Sequence, residues 1–161
     1  MYFYELKTKS TIADALKSFV ANNPPVVKVV HGLQIIHIPL HILQLDKTIS
    51  RLCLKFSGSA CIFKIDPNIE YHWHTDAARS CTVNMLIDDY DSRTMFSSSP
   101  KFNEIMEITE LKYLPSTMYI LDVTKLHSVI NFNNDRYLLS LTFPQSCTFE
   151  QVRDFCISEN I

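Results

Sequence analysis

With 161 residues, 47% hydrophobic, 20% charged and a formal net charge of −2, the chain can bury a sizeable core, and it has no charge imbalance that would steer it to nucleic acid or an anionic membrane surface. No apolar run has the length of a membrane span, and Met1-Tyr2-Phe3-Tyr4 does not read as a signal peptide. A soluble, cytoplasmic, single domain over 1–161 is therefore expected. Only two glycines occur, Gly32 and Gly58, which excludes a glycine-rich phosphate loop and with it the P-loop and dinucleotide-binding classes.

In chain order, residues 2–6 read as a short edge strand. Ser10 or Thr11 can cap a helix over about 11–21, with Ile12, Ala15, Leu16, Phe19 and Val20 on one face, and Pro24-Pro25 stops it. Residues 26–45 are rich in β-branched side chains, broken by Gly32 and Pro39, and read as one or two strands; His31, His37 and His41 lie there without a motif around them. Residues 45–56 are ambiguous, with Asp46 able to cap a short helix. From Ser59 the pattern is steadily β: strands over 60–65, 81–87, 94–96, 105–108, 117–123, 127–132 and 137–143, separated by turns of Asp, Asn, Ser and Pro. Thr148-Phe149-Glu150-Gln151 matches a capping box opening a last helix to about 159. Many short strands with helices at the two ends predict a mainly β fold, a jelly roll or cupin-like barrel of about 26–143 with flanking helices. Five cysteines without a CxxC pair lie in apolar runs and read as buried thiols.

Chemistry concentrates in Tyr71-His72-Trp73-His74-Thr75-Asp76. In an extended chain, side chains two apart share a face, so His74 and Asp76 converge and His72 sits one pleat behind. A third ligand is offered by His127, about fifty residues on at the start of an apolar strand, and Arg136 follows nine residues later at the start of the next. Two imidazoles and one carboxylate can occupy one triangular face of an octahedral metal, and the open face opposite suits non-haem Fe(II). A guanidinium can hold the far carboxylate of a dicarboxylate cosubstrate by two parallel hydrogen bonds.

On His74-Thr75-Asp76, His127 and Arg136 the chain resembles the Fe(II)/2-oxoglutarate-dependent dioxygenases. The run Tyr119-Ile-Leu-Asp-Val-Thr-Lys-Leu-His127-Ser-Val is similar to that family's seventh strand, and His74-Thr-Asp-Ala-Ala-Arg79-Ser-Cys-Thr-Val-Asn84-Met-Leu is similar to small members grouped with the aspartyl/asparaginyl β-hydroxylases. Aspartyl hydroxylases proper lack the carboxylate ligand, so Asp76 argues against transferring their substrate. The resemblance covers about 59–143. It implies a double-stranded β-helix with the distal histidine and the arginine on opposite sheets. It also implies Fe(II) on His74, Asp76 and His127, 2-oxoglutarate on Arg136 with Asn84 as a further donor, O2 as the oxidant, and hydroxylation of an unactivated C–H bond with release of succinate and CO2. A small molecule or peptide would be the substrate.

Two other readings stay open: a cupin-like metal enzyme that uses His72 in place of Asp76, and a non-catalytic jelly-roll module. His72 reads as a supporting or structural residue, Trp73 as packing on the opposite face, and Arg79 as either an acid-binding or a solvated group. Asn84 is as consistent with a buried structural amide, and Tyr119 and Ser128 are pocket residues by position only.

Overall fold

In the computed structural model, residues 1–23, 27–28, 33–88, 91–99, 104 and 107–161 are described. The strands are β1 (Phe3–Lys9), β2 (Val27–Lys28), β3 (Leu33–His37), β4 (Ser59–Ile65), β5 (Ile69–His74), β6 (Cys81–Leu86), β7 (Arg93–Ser97), β8 (Ile108–Leu111), β9 (Thr117–Asp122), β10 (His127–Asn131) and β11 (Arg136–Thr142). The helices are α1 (Ala13–Asn22), α2 (Leu40–Leu43), α3 (Lys47–Phe56) and α4 (Phe149–Ser158). Among the described residues the strands form two antiparallel sheets, a larger one in the order β1-β9-β6-β11-β4-β3-β2 and a smaller one in the order β5-β10-β7-β8. This is the jelly roll expected from the sequence, with β10 and β11 on opposite sheets.

Period-two alternation divides the larger sheet into two faces with different tasks. Ile62, Val83, Met85, Ile120, Leu139 and Leu141 point outward and form the main core with Leu16 of α1, Ile49 and Leu52 of α3 and Val152 and Cys156 of α4. Their neighbours Phe63, Ile65, Thr82, Asn84, Leu138 and Ser140 point inward and line a cavity between the sheets. Most of the apolar burial is thus achieved outside the barrel, and the barrel interior is left free for polar chemistry.

The ambiguous stretch resolves as helix. Asp46 caps α3, its Oδ1 accepting from the backbone of Thr48 and Ile49 at 2.9 and 3.1 Å. Its other oxygen accepts from Ser10 Oγ at 2.8 Å and Thr11 N at 3.0 Å, tying α3 to the start of α1. Ser10 therefore does not cap α1 as expected. That helix starts at Ala13, its N-cap is Ile12, and no side chain caps it. The helices are consequently not confined to the two ends of the chain. The capping box of α4 is present as read, with Thr148 and Gln151 satisfying each other's backbone. The strand read over 105–108 is displaced to β8, with positions 105 and 106, like His31, outside the described residues. Strand β1 pairs with β9 at the rim of the larger sheet, as an edge strand should.

All five cysteines are free. Cys81 and Cys156 are fully buried, and burial pushes the Cys156 thiol up to about 11. These thiols are packing groups. No helix among the described residues is long and apolar enough to cross a membrane.

Asp46 joins two helices through four hydrogen bonds accepted by one buried carboxylate, so Asp46→Ala should destabilise the fold by about 2 kcal/mol or more, read from the midpoint of urea unfolding.

Candidate metal and anion site

Strand β5 is an edge strand of the smaller sheet and pairs only with β10 among the described residues. The register runs Asn131↔Ile69, Ile130↔Glu70, Val129↔Tyr71 and then His127↔His74. Between the last two pairs β10 contributes one residue, Ser128, while β5 contributes two, His72 and Trp73. This is a β-bulge, and the extra residue reverses which side chains face inward beyond it. Tyr71 and His74 both face the cavity as a result, with their rings 5.1 Å apart.

The bulge corrects the expectation that His72 shares a face with His74. His72 is 84% exposed on the outer side and pairs with Glu70 at 3.3 Å. Two carbonyls at the bulge accept side-chain hydrogen bonds. Ser128 Oγ donates to the Tyr71 carbonyl at 2.9 Å, and His74 Nδ1 donates to the His72 carbonyl at 2.6 Å. Ser128 thus supports the bulge rather than lining the cavity.

Three elements converge on the inner side of this bulge. His74 ends β5, Asp76 follows it with its backbone N–H bonded to the Val123 carbonyl at 2.9 Å, and His127 opens β10. The two imidazole rings lie 4.2 Å apart. Asp76 Oδ1 stands 3.6 Å from His74 Nε2 and 4.0 Å from His127 Nε2. One ligand atom from each residue fits within 4.8 Å of the others, and among the described residues this is the group so arranged. His127 Nδ1 bonds the Lys125 carbonyl at 2.9 Å. A carbonyl can only accept, so in both rings Nδ1 carries the proton and the Nε2 lone pair is left for a metal. Burial, reinforced by neighbouring His74, holds His127 below its ordinary value, which favours the neutral imidazole that a metal would require.

Arg136 lies in the same cavity and is 1% exposed. It donates to Ser92 Oγ at 3.0 Å and to Thr94 Oγ1 at 3.1 Å, and its guanidinium lies 5.9 Å from the Tyr113 ring. No carboxylate among the described residues comes within ion-pair distance. Burial lowers its affinity for the proton, but a guanidinium stays charged in proteins. A buried cation without a counter-charge is costly, and an anion in the cavity would relieve that cost. The Tyr113 hydroxyl is also buried without a hydrogen-bond partner and lies among Arg136, Thr94 and Asn84, so a second donor waits beside the guanidinium.

Asn84 lines this cavity, and its Oδ1 accepts from Thr82 Oγ1 at 2.9 Å, which leaves the amide N–H groups as the side available to a ligand. Arg79 is not a solvated group. Its Nε donates to Asp76 Oδ2 at 2.5 Å, and its Nη1 reaches Thr142 Oγ1 at 3.1 Å. Tyr119 packs in the small aromatic cluster with Phe96 and Leu121 and does not line the cavity. The cavity measures about 180 Å³, with Phe63, Leu138 and Val129 among its apolar walls. Tyr113, Thr94 and Ser92 went unnoticed in the sequence because they sit in a loop, a short strand and a turn with no motif spacing.

No protein-family model and no curated protein matches the chain. Solved structures do. A Trichoplax adhaerens prolyl hydroxylase, in complex with a hypoxia-inducible factor peptide fragment, is similar at TM-score 0.65 and 13% identity over 95% of this chain and 86% of that one. A Pseudomonas putida prolyl-4-hydroxylase is similar at TM-score 0.62 and 10% identity over 90% and 92%. HygX from Streptomyces hygroscopicus, with nickel, 2-oxoglutarate and hygromycin B bound, is similar at TM-score 0.59 and 10% identity over 91% and 83%. The chain therefore has the jelly-roll fold of solved prolyl hydroxylases and 2-oxoglutarate/Fe(II) oxygenases.

Ser128→Ala would remove the hydroxyl that donates to the Tyr71 carbonyl at the bulge, with an expected cost of about 1 kcal/mol in urea unfolding.

Proposed function

We propose that the chain is a non-haem Fe(II)- and 2-oxoglutarate-dependent oxygenase that hydroxylates an unactivated C–H bond. One observation carries this reading: a facial set of two Nε2 atoms and one carboxylate oxygen shares a cavity with a buried arginine that has no carboxylate partner among the described residues. The donor set fits the metal. It is nitrogen and oxygen without thiolate, and it leaves room for further ligands. When bound, the iron would supply the redox chemistry that couples O2 and decarboxylation of 2-oxoglutarate, giving succinate and CO2, to oxidation of the substrate.

The chain's own residues supply orientation. Arg136, with Thr94 and Ser92 fixing its plane, binds the distal carboxylate of the cosubstrate by two parallel N–H donors. Tyr113 and Asn84 offer further donors to the same anion. Phe63, Leu138 and Val129 keep water from the reacting centre. The cupin-like ligand set has no geometric support, since His72 faces away. The substrate is a peptide or a small molecule, consistent with what the similar structures hold: a hypoxia-inducible factor peptide in one, hygromycin B in another.

Anaerobic addition of Fe(II) and then 2-oxoglutarate should produce a weak visible charge-transfer band from the chelate. The band should be absent in His74→Ala and weaker in Arg136→Met. Fully iron-loaded wild-type protein that gives no band with 2-oxoglutarate would rule the assignment out.

A further inference from the structure

We propose that Arg79 is a positioning residue that confines Asp76 to a single metal-facing oxygen and thereby keeps the opposite face of the site open for the cosubstrate; this rests on the iron and 2-oxoglutarate reading above. The two carboxylate oxygens of Asp76 have different surroundings. Oδ1 faces His74 Nε2 and His127 Nε2 at 3.6 and 4.0 Å, while Oδ2 accepts the Arg79 Nε donor at 2.5 Å.

Arg79 is itself held. Its Nη1 reaches Thr142 Oγ1 at 3.1 Å and Ser140 Oγ at 3.4 Å on β11, and its guanidinium lies 5.8 Å from the Phe63 ring on β4. The Ser140 hydroxyl lies 2.9 Å from Thr82 Oγ1 on β6. The Arg79 side chain is only 20% exposed. The loop that carries Asp76 is thus fastened to the inner face of the larger sheet through one guanidinium.

Two imidazoles and one carboxylate oxygen fill three of six positions around the metal, and a dicarboxylate chelating through its 2-oxo acid end needs two more, leaving one. A carboxylate free to bind through both oxygens would take a fourth position and compete with the chelate. A cation on Oδ2 prevents this. The same cation also repels a bare divalent ion, so Arg79 favours the cosubstrate complex at the expense of the metal alone. That sign separates a positioning role from a purely structural one.

The test is calorimetric titration of Co(II) into wild type, Arg79→Met and Arg79→Lys, followed by 2-oxoglutarate into each Co(II)-loaded protein, with thermal melting of the metal-free proteins alongside. In Arg79→Met the Co(II) affinity should be unchanged or tighter, while 2-oxoglutarate binding weakens roughly tenfold or more. The Co(II) absorption of that variant should already differ from that of the wild type before 2-oxoglutarate is added, because a second Asp76 oxygen takes the place of a solvent ligand. Arg79→Lys should resemble Arg79→Met, because an ammonium cannot hold Asp76 and the β11 hydroxyls together. Full recovery by lysine would reduce the role to charge and overturn the proposal. So would parallel loss of Co(II) affinity, 2-oxoglutarate affinity and melting temperature, which marks a structural role. Equal 2-oxoglutarate affinity in all three proteins overturns the Arg79 assignment alone; failure of the wild type to bind Co(II) overturns the functional reading with it.

Discussion

The arrangement of the site depends on the extra residue that β5 carries opposite Ser128. Without it, the alternation of the strand would put His72 on the same face as His74 and send Tyr71 to the opposite side. With it, Tyr71 and His74 face the cavity, His74 stands directly across from His127, and His72 goes to solvent. A bulge in an edge strand also blunts that edge against pairing with another chain. Side chains already in place bond its backbone: the Ser128 hydroxyl donates to the Tyr71 carbonyl, and the His74 ring donates to the His72 carbonyl. The second of these bonds fixes the tautomer, so the distortion that places the imidazole also prepares it.

A second constraint concerns where apolar surface is buried. Leu139 and Leu141 pack against the helices, while their strand neighbours Leu138 and Ser140 face the cavity. Because the helices cover the outer face of the larger sheet, the barrel interior can hold groups that oppose stability. Arg136 is the clearest case, a guanidinium buried among hydroxyls and an aromatic ring. The imidazoles and carboxylate of the candidate metal site, the Arg136 cation and the hydroxyls come from both sheets, so the cavity exists only when the sheets are packed face to face.

The order His74-x-Asp76, His127, Arg136 was legible in the sequence because short polar motifs stood out against apolar strands. The jelly roll was legible from the strand spacing, and α4 from its capping box. The sequence left other features hidden for physical reasons. Nothing in Tyr71-His72-Trp73 announces a bulge, since neither glycine nor proline marks it, and the register is set by β10. Arg79 reads from the sequence as either an acid-binding or a solvated group, because an i to i+3 spacing from Asp76 is equally consistent with an exposed loop. Its partners on β11 are more than sixty positions away. Tyr113 became visible only as a buried hydroxyl without a partner. Residues 45–56 have no decisive period of their own, and they are helical because Asp46 both caps α3 and accepts from Ser10.

The central claim is that one divalent metal is held by His74, Asp76 and His127, with His72 taking no part. The most direct measurement is anomalous X-ray diffraction from crystals of the Fe(II)-loaded protein with 2-oxoglutarate, grown without oxygen. The account predicts a single metal peak bonded to Nε2 of His74, Nε2 of His127 and one oxygen of Asp76, with the distal carboxylate of 2-oxoglutarate on Arg136. A metal bound through His72, or a loaded protein whose anomalous peak lies away from these three residues, would contradict it.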